Sequence, residues 1–362
     1  MMYLFPDLLE EIFIRLPLKS ILKFKTVSKQ WRSIVESKSF TERRMSLQKN
    51  HRKILAAAAG VNRSDSRFEE VEVVYLHCDD VTLPSLTSDG LVCLPVPGWV
   101  NVINPTTGEF LRFPSGPDPV TRRYQCHIVH SCGNASLPIR HYIFPALWAM
   151  GFGRDKVSKS FKVVRMFFDP YNYCEVLDVN IGEWRRTLSA PPYLIDPRRK
   201  SACVNGSIYW LNCGPLKLLA FDLHTQKFRD VPFLPPSASF ADQLVNLDDR
   251  LAIATPYGGP WKLEIWTMDL QKEEDGWSMT YSIPLSTSRD LNPSPITVHF
   301  RPLTVSKEGN VFFHDNDKRL LVYEPKTNLI RCISKDTWVL LRYPNCLNLC
   351  LPYCLPLRFF LK

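Results

Sequence analysis

The period of the hydrophobic pattern changes once along this chain. Leu8, Leu9, Ile12, Phe13 and Leu16 recur three and four residues apart while Glu10, Glu11 and Arg15 fall off that stripe, which predicts an amphipathic helix. Pro6 and Asp7 suit its first turn, where a missing amide is no loss and a carboxylate meets the positive end of the dipole. Pro17 ends it. A second apolar stripe runs through Leu18, Ile21, Leu22 and Phe24, and Ser28 stands as N-cap of a third helix through Trp31, Ile34 and Val35. A unit of about forty residues buries too little to close over all its apolar surface, so some is left for a partner.

From Phe40 to Lys53 the pattern stays helical and turns basic, and from Ala56 to Ser66 it is diluted by alanine, glycine and polar residues. Beyond that point, apolar or alternating runs of four to eight residues are broken by Gly, Pro, Asn and Asp, the pattern of strands and turns. The runs recur as a unit. One half is a turn followed by a buried strand: Asp89 to Leu94, Asn205 to Leu211, Asp249 to Ala254 and Gly309 to His314. The other is a strand entering a polar turn with an apolar closing residue: Val102 to Phe110, Val176 to Trp184, Leu219 to Phe228, Ile265 to Trp277 and Leu321 to Ile330. About five copies at roughly forty to sixty residues each is the spacing of propeller blades, which stack because one blade cannot bury both faces. With Val71 to His77 and Phe161 to Phe168 as further strands, a ring of about six or seven blades is expected. The expected fold class is α+β multidomain, with a small helical head followed by an all-β, propeller-like body. The divisions are 1–48 for the helical module, 49–70 for a linker, 71–337 for the β domain and 338–362 for an apolar tail.

The length of 362 residues, nine tryptophans and twenty-one phenylalanines fit one small module and one large folded domain. A net charge of +9 is spread over Arg43-Arg44, Arg52-Lys53, Arg122-Arg123, Arg185-Arg186 and Arg198-Arg199-Lys200, a solvated surface rather than one nucleic-acid face, with an acidic partner left open. Eleven cysteines without a basic, apolar leader indicate reduced thiols and a cytoplasmic or nuclear location. The apolar stretch from Trp338 to Leu361 is interrupted by Arg342, Pro344, Pro352, Pro356 and Arg358, which spoils it as a membrane span.

The order Phe-Pro-Asp-Leu-Leu at 5–9, Ile-Phe-Ile-Arg-Leu-Pro-Leu-Lys-Ser at 12–20 and Phe-Lys-Thr-Val-Ser-Lys-Gln-Trp-Arg at 24–32 resembles an F-box, and most closely its plant branch. The resemblance implies docking to the Skp-type adaptor of a cullin-based ubiquitin ligase. By matching positions it implies that Phe5, Pro6, Leu8, Leu16, Pro17, Val27 and Trp31 form or hold the docking surface. Phe5-Pro6 replaces the family's opening Leu-Pro or Ile-Pro. The body is similar to the plant F-box-associated interaction domain, through its Asp-x-x-Thr-x-x-Phe turns and Met150-Gly151-Phe152-Gly153 ahead of Lys162-Val163-Val164. Arg154 and Ser160-Phe161 depart from the family's Gly-Phe-Gly-Tyr-Asp and Asp-Tyr-Lys-Val-Val.

Candidate chemistry is sparse. Gly151-Phe152-Gly153 lacks the third glycine and following helix of a dinucleotide fingerprint and reads as a turn. Cys126, His127, His130 and Cys132 match no standard zinc spacing, and Cys346, Cys350 and Cys354 do not close a site. Asp79-Asp80, Asp248-Asp249 and Asp315 with Asp317 read as hairpin turns, and Trp210, Trp266, Trp277 and Tyr323 as blade packing. No cofactor is expected. The favoured function is a non-catalytic substrate receptor that binds the adaptor, through it a cullin, and a target protein. The alternatives are a propeller enzyme of the sugar-hydrolase kind, which needs two carboxylates in a central pocket, and an RNA-binding propeller, which needs a contiguous basic face.

Overall fold

The computed structural model describes residues 5–16, 18–37, 39–40, 43–44, 52–58, 66–68, 71–77, 86–96, 99–104, 109–114, 150–168, 171–195, 200–212, 216–232, 234–238, 242–257, 261–269, 276–287, 300–315, 319–334, 337–343 and 355–356. Among the described residues the head carries three short helices, α1 (Pro6–Arg15), α2 (Leu18–Phe24) and α3 (Lys29–Glu36), with residues 39–40 and 43–44 helical as well. They enclose a core of their own from Leu9, Phe13, Ile14, Ile21, Val35 and Phe40.

Strands follow. β1 (Arg52–Ala58), β2 (Ser66–Phe68) and β3 (Val71–His77) precede five antiparallel four-stranded meanders. These are β4 (Leu86–Ser88) to β7 (Glu109–Pro114), β8 (Met150–Arg154) to β11 (Glu183–Arg186), β12 (Ala202–Val204) to β15 (Phe228–Val231), β16 (Gln243–Leu247) to β19 (Trp277–Pro284), and β20 (Phe300–Val305) to β23 (Leu329–Ser334). The first strands of successive meanders, β4, β8, β12, β16 and β20, touch in turn and line the middle of the ring. The body is thus an all-β propeller of five meander blades. A sixth sheet, in the order β2-β3-β1-β24, joins the early strands to β24 (Thr337–Tyr343). β24 touches β20 on one side and β5 (Leu91–Val96) on the other, so this sheet fills the gap between last and first blades. A short β25 (Leu355–Pro356) adds to the edge of β7.

Four expectations change. The ring has five meander blades and a mixed sheet rather than six or seven blades, because Phe161–Phe167 is the second strand of a blade already counted. The segment expected as a linker carries β1 and β2, and the expected tail carries most of β24. An alanine-rich run has weak strand preference of its own, but β1 pairs on both edges, parallel with β3 and antiparallel with β24, and non-local pairing decides. Gly151-Phe152-Gly153 is not a turn but the middle of β8. A Cβ on Gly151 would stand 2.6 Å from Ile208 Cγ2 and from Trp210 Cζ2, so the glycines let a central strand lie flat against the next blade.

The repeat halves map onto hairpins. The turns before β5, β13 (Ser207–Leu211) and β17 (Arg250–Tyr257) have left-handed residues at Asp89 and Gly90, Asn205 and Gly206, and Asp248 and Asp249, the conformation that two-residue hairpins require. After β14 (Leu218–Asp222), Asp222 Oδ1 accepts hydrogen bonds from the His224 and Thr225 amides and from Thr225 Oγ1, which explains the Asp-x-x-Thr spacing. Trp210 and Tyr323 are buried in blade cores, whereas Trp266 and Trp277 are partly accessible.

Candidate docking surface

α1 carries apolar residues on two faces. Leu9, Phe13 and Ile14 point inward and are buried. Phe5, Leu8 and Ile12, spaced three and four apart, share the opposite face and remain 79%, 49% and 42% exposed, and Val27, in the turn after α2, is 59% exposed. Exposing large side chains in a row is unfavourable for an isolated module. Phe5 is the N-cap, offers no side-chain cap, and takes the Leu8 and Leu9 amides on its carbonyl, with Pro6 opening the helix.

This outer face is held from behind. Trp31, partly buried, meets Phe13 edge-on at 5.0 Å between ring centroids and Phe24 at 5.2 Å. Ser28 Oγ accepts the Trp31 amide at 3.1 Å and so fixes the start of α3. Leu16 packs partly buried against the same core at the end of α1. Arg44, fully buried, donates from Nη1 to the Ile14 carbonyl at 2.8 Å and closes the end of α1. Burial lowers its guanidinium to about 10. Arg43 pairs with Glu10 at 2.8 Å and with Glu11.

Of the seven residues expected at the docking surface, Phe5, Pro6, Leu8 and Val27 are outward-facing and Leu16 and Trp31 lie behind them. Pro17 lies outside the described residues. Ile12, on one stripe with Leu8, Leu9 and Phe13 by spacing and not among the seven, belongs to the outer face. Arg44 was not foreseen. Its signal, a basic residue in the helical stretch after α3, is indistinguishable in sequence from a solvated one.

In the body, a cavity of about 850 Å3 opens at the end of the ring where the first strands finish, lined among others by Asp89, Arg154, Asp155, Lys156, Asn205 and Asp249. Asp155 is buried and pairs with Lys162 at 2.7 Å, whose Nζ also donates to the Leu223 carbonyl of the next blade at 2.8 Å. Burial opposes its ionisation, yet hydrogen bonds from Lys162, Ser158 and the Val157 and Ser158 amides outweigh it and hold the carboxyl well below the usual range. An ionised, fully engaged carboxylate has no proton to give a leaving group, so Asp155 is a blade-to-blade tie rather than a general acid. Asp315 is likewise bound to Arg319 at 2.7 Å. Among the described residues no cluster of metal-ligating side chains forms, and no helix is long and apolar enough to cross a membrane. Cys126, His127, His130, Cys132, Cys346, Cys350, Cys354, Asp79, Asp80 and Asp317 lie outside the described residues.

Comparison with known proteins agrees with this geometry. Residues 3–43 match the F-box domain and residues 45–337 the F-box associated beta propeller domain. The chain belongs to the F-box-associated propeller family. It is similar to an Arabidopsis thaliana F-box/LRR-repeat protein, 46% identical over 355 residues that cover 93% of this chain and 80% of the relative. An F-box/kelch-repeat protein of the same plant is 47% identical over 360 residues, covering 94% of this chain and 82% of the relative. Among solved structures, that of YjhT aligns at a TM-score of 0.41 and 9% identity, over 69% of this chain and 82% of that one.

Proposed function

We propose that this F-box protein is a substrate receptor of a Skp–cullin–F-box ubiquitin ligase, acting in the cytoplasm or nucleus. The head docks on the Skp-type adaptor, and through it on a cullin, while the propeller holds a target protein. The observation that carries this reading is the second apolar face of α1, Phe5, Leu8 and Ile12, extended by Val27, on a module whose core is already closed by Phe13, Phe24 and Trp31. The chain performs no transfer chemistry of its own in this scheme. It raises the effective concentration of a target lysine beside a charged ubiquitin carrier, a purely positional contribution. The test is co-elution of the purified chain with a Skp-type adaptor and cullin in size-exclusion chromatography. The full chain should enter the complex and a chain lacking residues 1–44 should not. Failure of the full chain to co-elute would refute the proposal.

A further inference from the structure

The ring has a second end, where the first strands of the blades begin, and two cations stand there. Lys200 lies two residues before β12 and Arg301 is the second residue of β20. Only β16 separates these strands in the inner circle, touching both. Both side chains are partly accessible. Among the described residues neither has a hydrogen-bonding or acidic partner. Asp242, just ahead of β16, is fully buried and has interactions of its own.

The contrast with the rest of the body is informative. Lys162 is tied to Asp155, Arg165 to Glu175, Lys262 to Glu264 and Arg319 to Asp315. Each of these four is offset by an opposite charge, as expected when desolvation has to be compensated, and Arg154, without an acid, donates to the Lys159 carbonyl at 3.0 Å and lies over the Phe161 ring. Among the described residues no acid or carbonyl offsets Lys200 or Arg301, and the charge of Arg301 acts against that of Lys200. Burial, and then the charge of Arg301, lowers Lys200 to about 7, and burial lowers Arg301 to about 10. An arrangement that disfavours its own charges is stabilised by an anion from outside, which would restore full protonation of Lys200.

We propose that this end of the propeller is an oxyanion site, where Lys200 and Arg301 bind carboxylate or phosphoryl groups on a segment of the recruited protein. The inference rests on the substrate-receptor reading and names the chemistry of the target. An ammonium beside a guanidinium supplies a point charge and a planar fork, a set that suits an oxyanion with several acceptor oxygens. The net charge of +9 favours encounter with acidic segments.

The test uses the full chain and fluorescein-labelled ten-residue peptides read by anisotropy at 50 and 150 mM salt. One peptide alternates glycine with serine, one glycine with phosphoserine, one glycine with glutamate. The phosphorylated or the acidic peptide should bind at least tenfold more tightly than the neutral one, and which of the two does so identifies the source of the oxyanion. The variant Lys200→Met/Arg301→Met should lose that tenfold preference while its melting temperature stays equal or rises. Lys200→Gln and Arg301→Gln, tested singly, serve if the double variant does not fold. Equal binding of all three peptides, or an unchanged preference in the variants, overturns the proposal. So does a fall in melting temperature in every variant, which would make the pair structural. Adaptor co-elution, measured on the same preparations, separates failure of this site from failure of the receptor reading.

Discussion

Replacing Gly153 with alanine is a one-methyl perturbation whose outcome can be worked out from the blade interface. Gly153 lies in β8 facing the third blade, and an added Cβ would overlap Cys203 Sγ, stand 2.9 Å from Leu223 Cδ1 and 3.1 Å from Cys203 Cβ. Cys203 belongs to β12, a backbone-paired strand, so only its sulfur and the Leu223 tip can give way. Overpacking of this kind costs about 1–3 kcal/mol. In a domain of this size each kcal/mol is about 2–4 °C of melting temperature, so the propeller transition should fall by about 2–12 °C in calorimetry. Cys203→Ala removes the overlapping sulfur, and the double variant should recover roughly half of the loss, a coupling that a non-contacting pair would not show. A Gly153→Ala variant that melts with wild type, or a double variant with purely additive losses, would refute the steric account of this strand.

Three further outcomes follow from other contacts. Trp31→Ala removes a partly buried ring from the Phe13–Phe24 cluster. At about 2–3 kcal/mol this is comparable to all the stability of so small a bundle, so adaptor binding should disappear while the propeller transition is unchanged. Phe13→Ala, at a fully buried position, should do the same more severely, and survival of adaptor binding in both would mean that the aromatic cluster does not hold the docking face. Asp155 has a folded-state carboxyl below its unfolded range. The stability it contributes is therefore present above about pH 4 and lost as pH falls further. Chemical denaturation of wild type and Asp155→Asn should show a gap at pH 7 that narrows toward pH 3, and a constant gap would contradict the ion-pair assignment.

Much of the fold was legible because it is written in short-range signals. Prolines at 6 and 17, apolar stripes and, at α3, the capping Ser28 mark the helices of the head, and Asn205-Gly206 or Asp222-x-x-Thr225 mark hairpins through local backbone geometry. What was not legible depends on partners distant in the chain. β1 exists because β24 and β3 flank it, and Gly151 and Gly153 are explained by Ile208, Trp210 and Cys203 in the next blade. The outer apolar face of α1 was legible at the level of residue type but not of orientation. Leu8, Leu9, Ile12 and Phe13 form one stripe by spacing, yet the core takes Leu9 and Phe13 and leaves Leu8 and Ile12 outside. Two adjacent stripes on one helix cannot be divided by period alone. Lys200 and Arg301 are more than a hundred residues apart in sequence, and only the closed ring brings their strands to the two sides of β16.

The central claim is that the outer face of α1 is the adaptor-docking surface. The direct measurement is isothermal titration of a Skp-type adaptor into the full chain and into Leu8→Glu/Ile12→Glu. Both positions are about half exposed, so the substitutions should shift stability by less than about 0.5 kcal/mol. Covering two such side chains contributes about 2–3 kcal/mol to binding, and setting carboxylates against an apolar partner adds to the loss. The account predicts tight binding by the wild-type chain and affinity weakened by about a hundredfold or more in the variant, with helical content and melting unchanged. Equal affinity of the two folded proteins would contradict it.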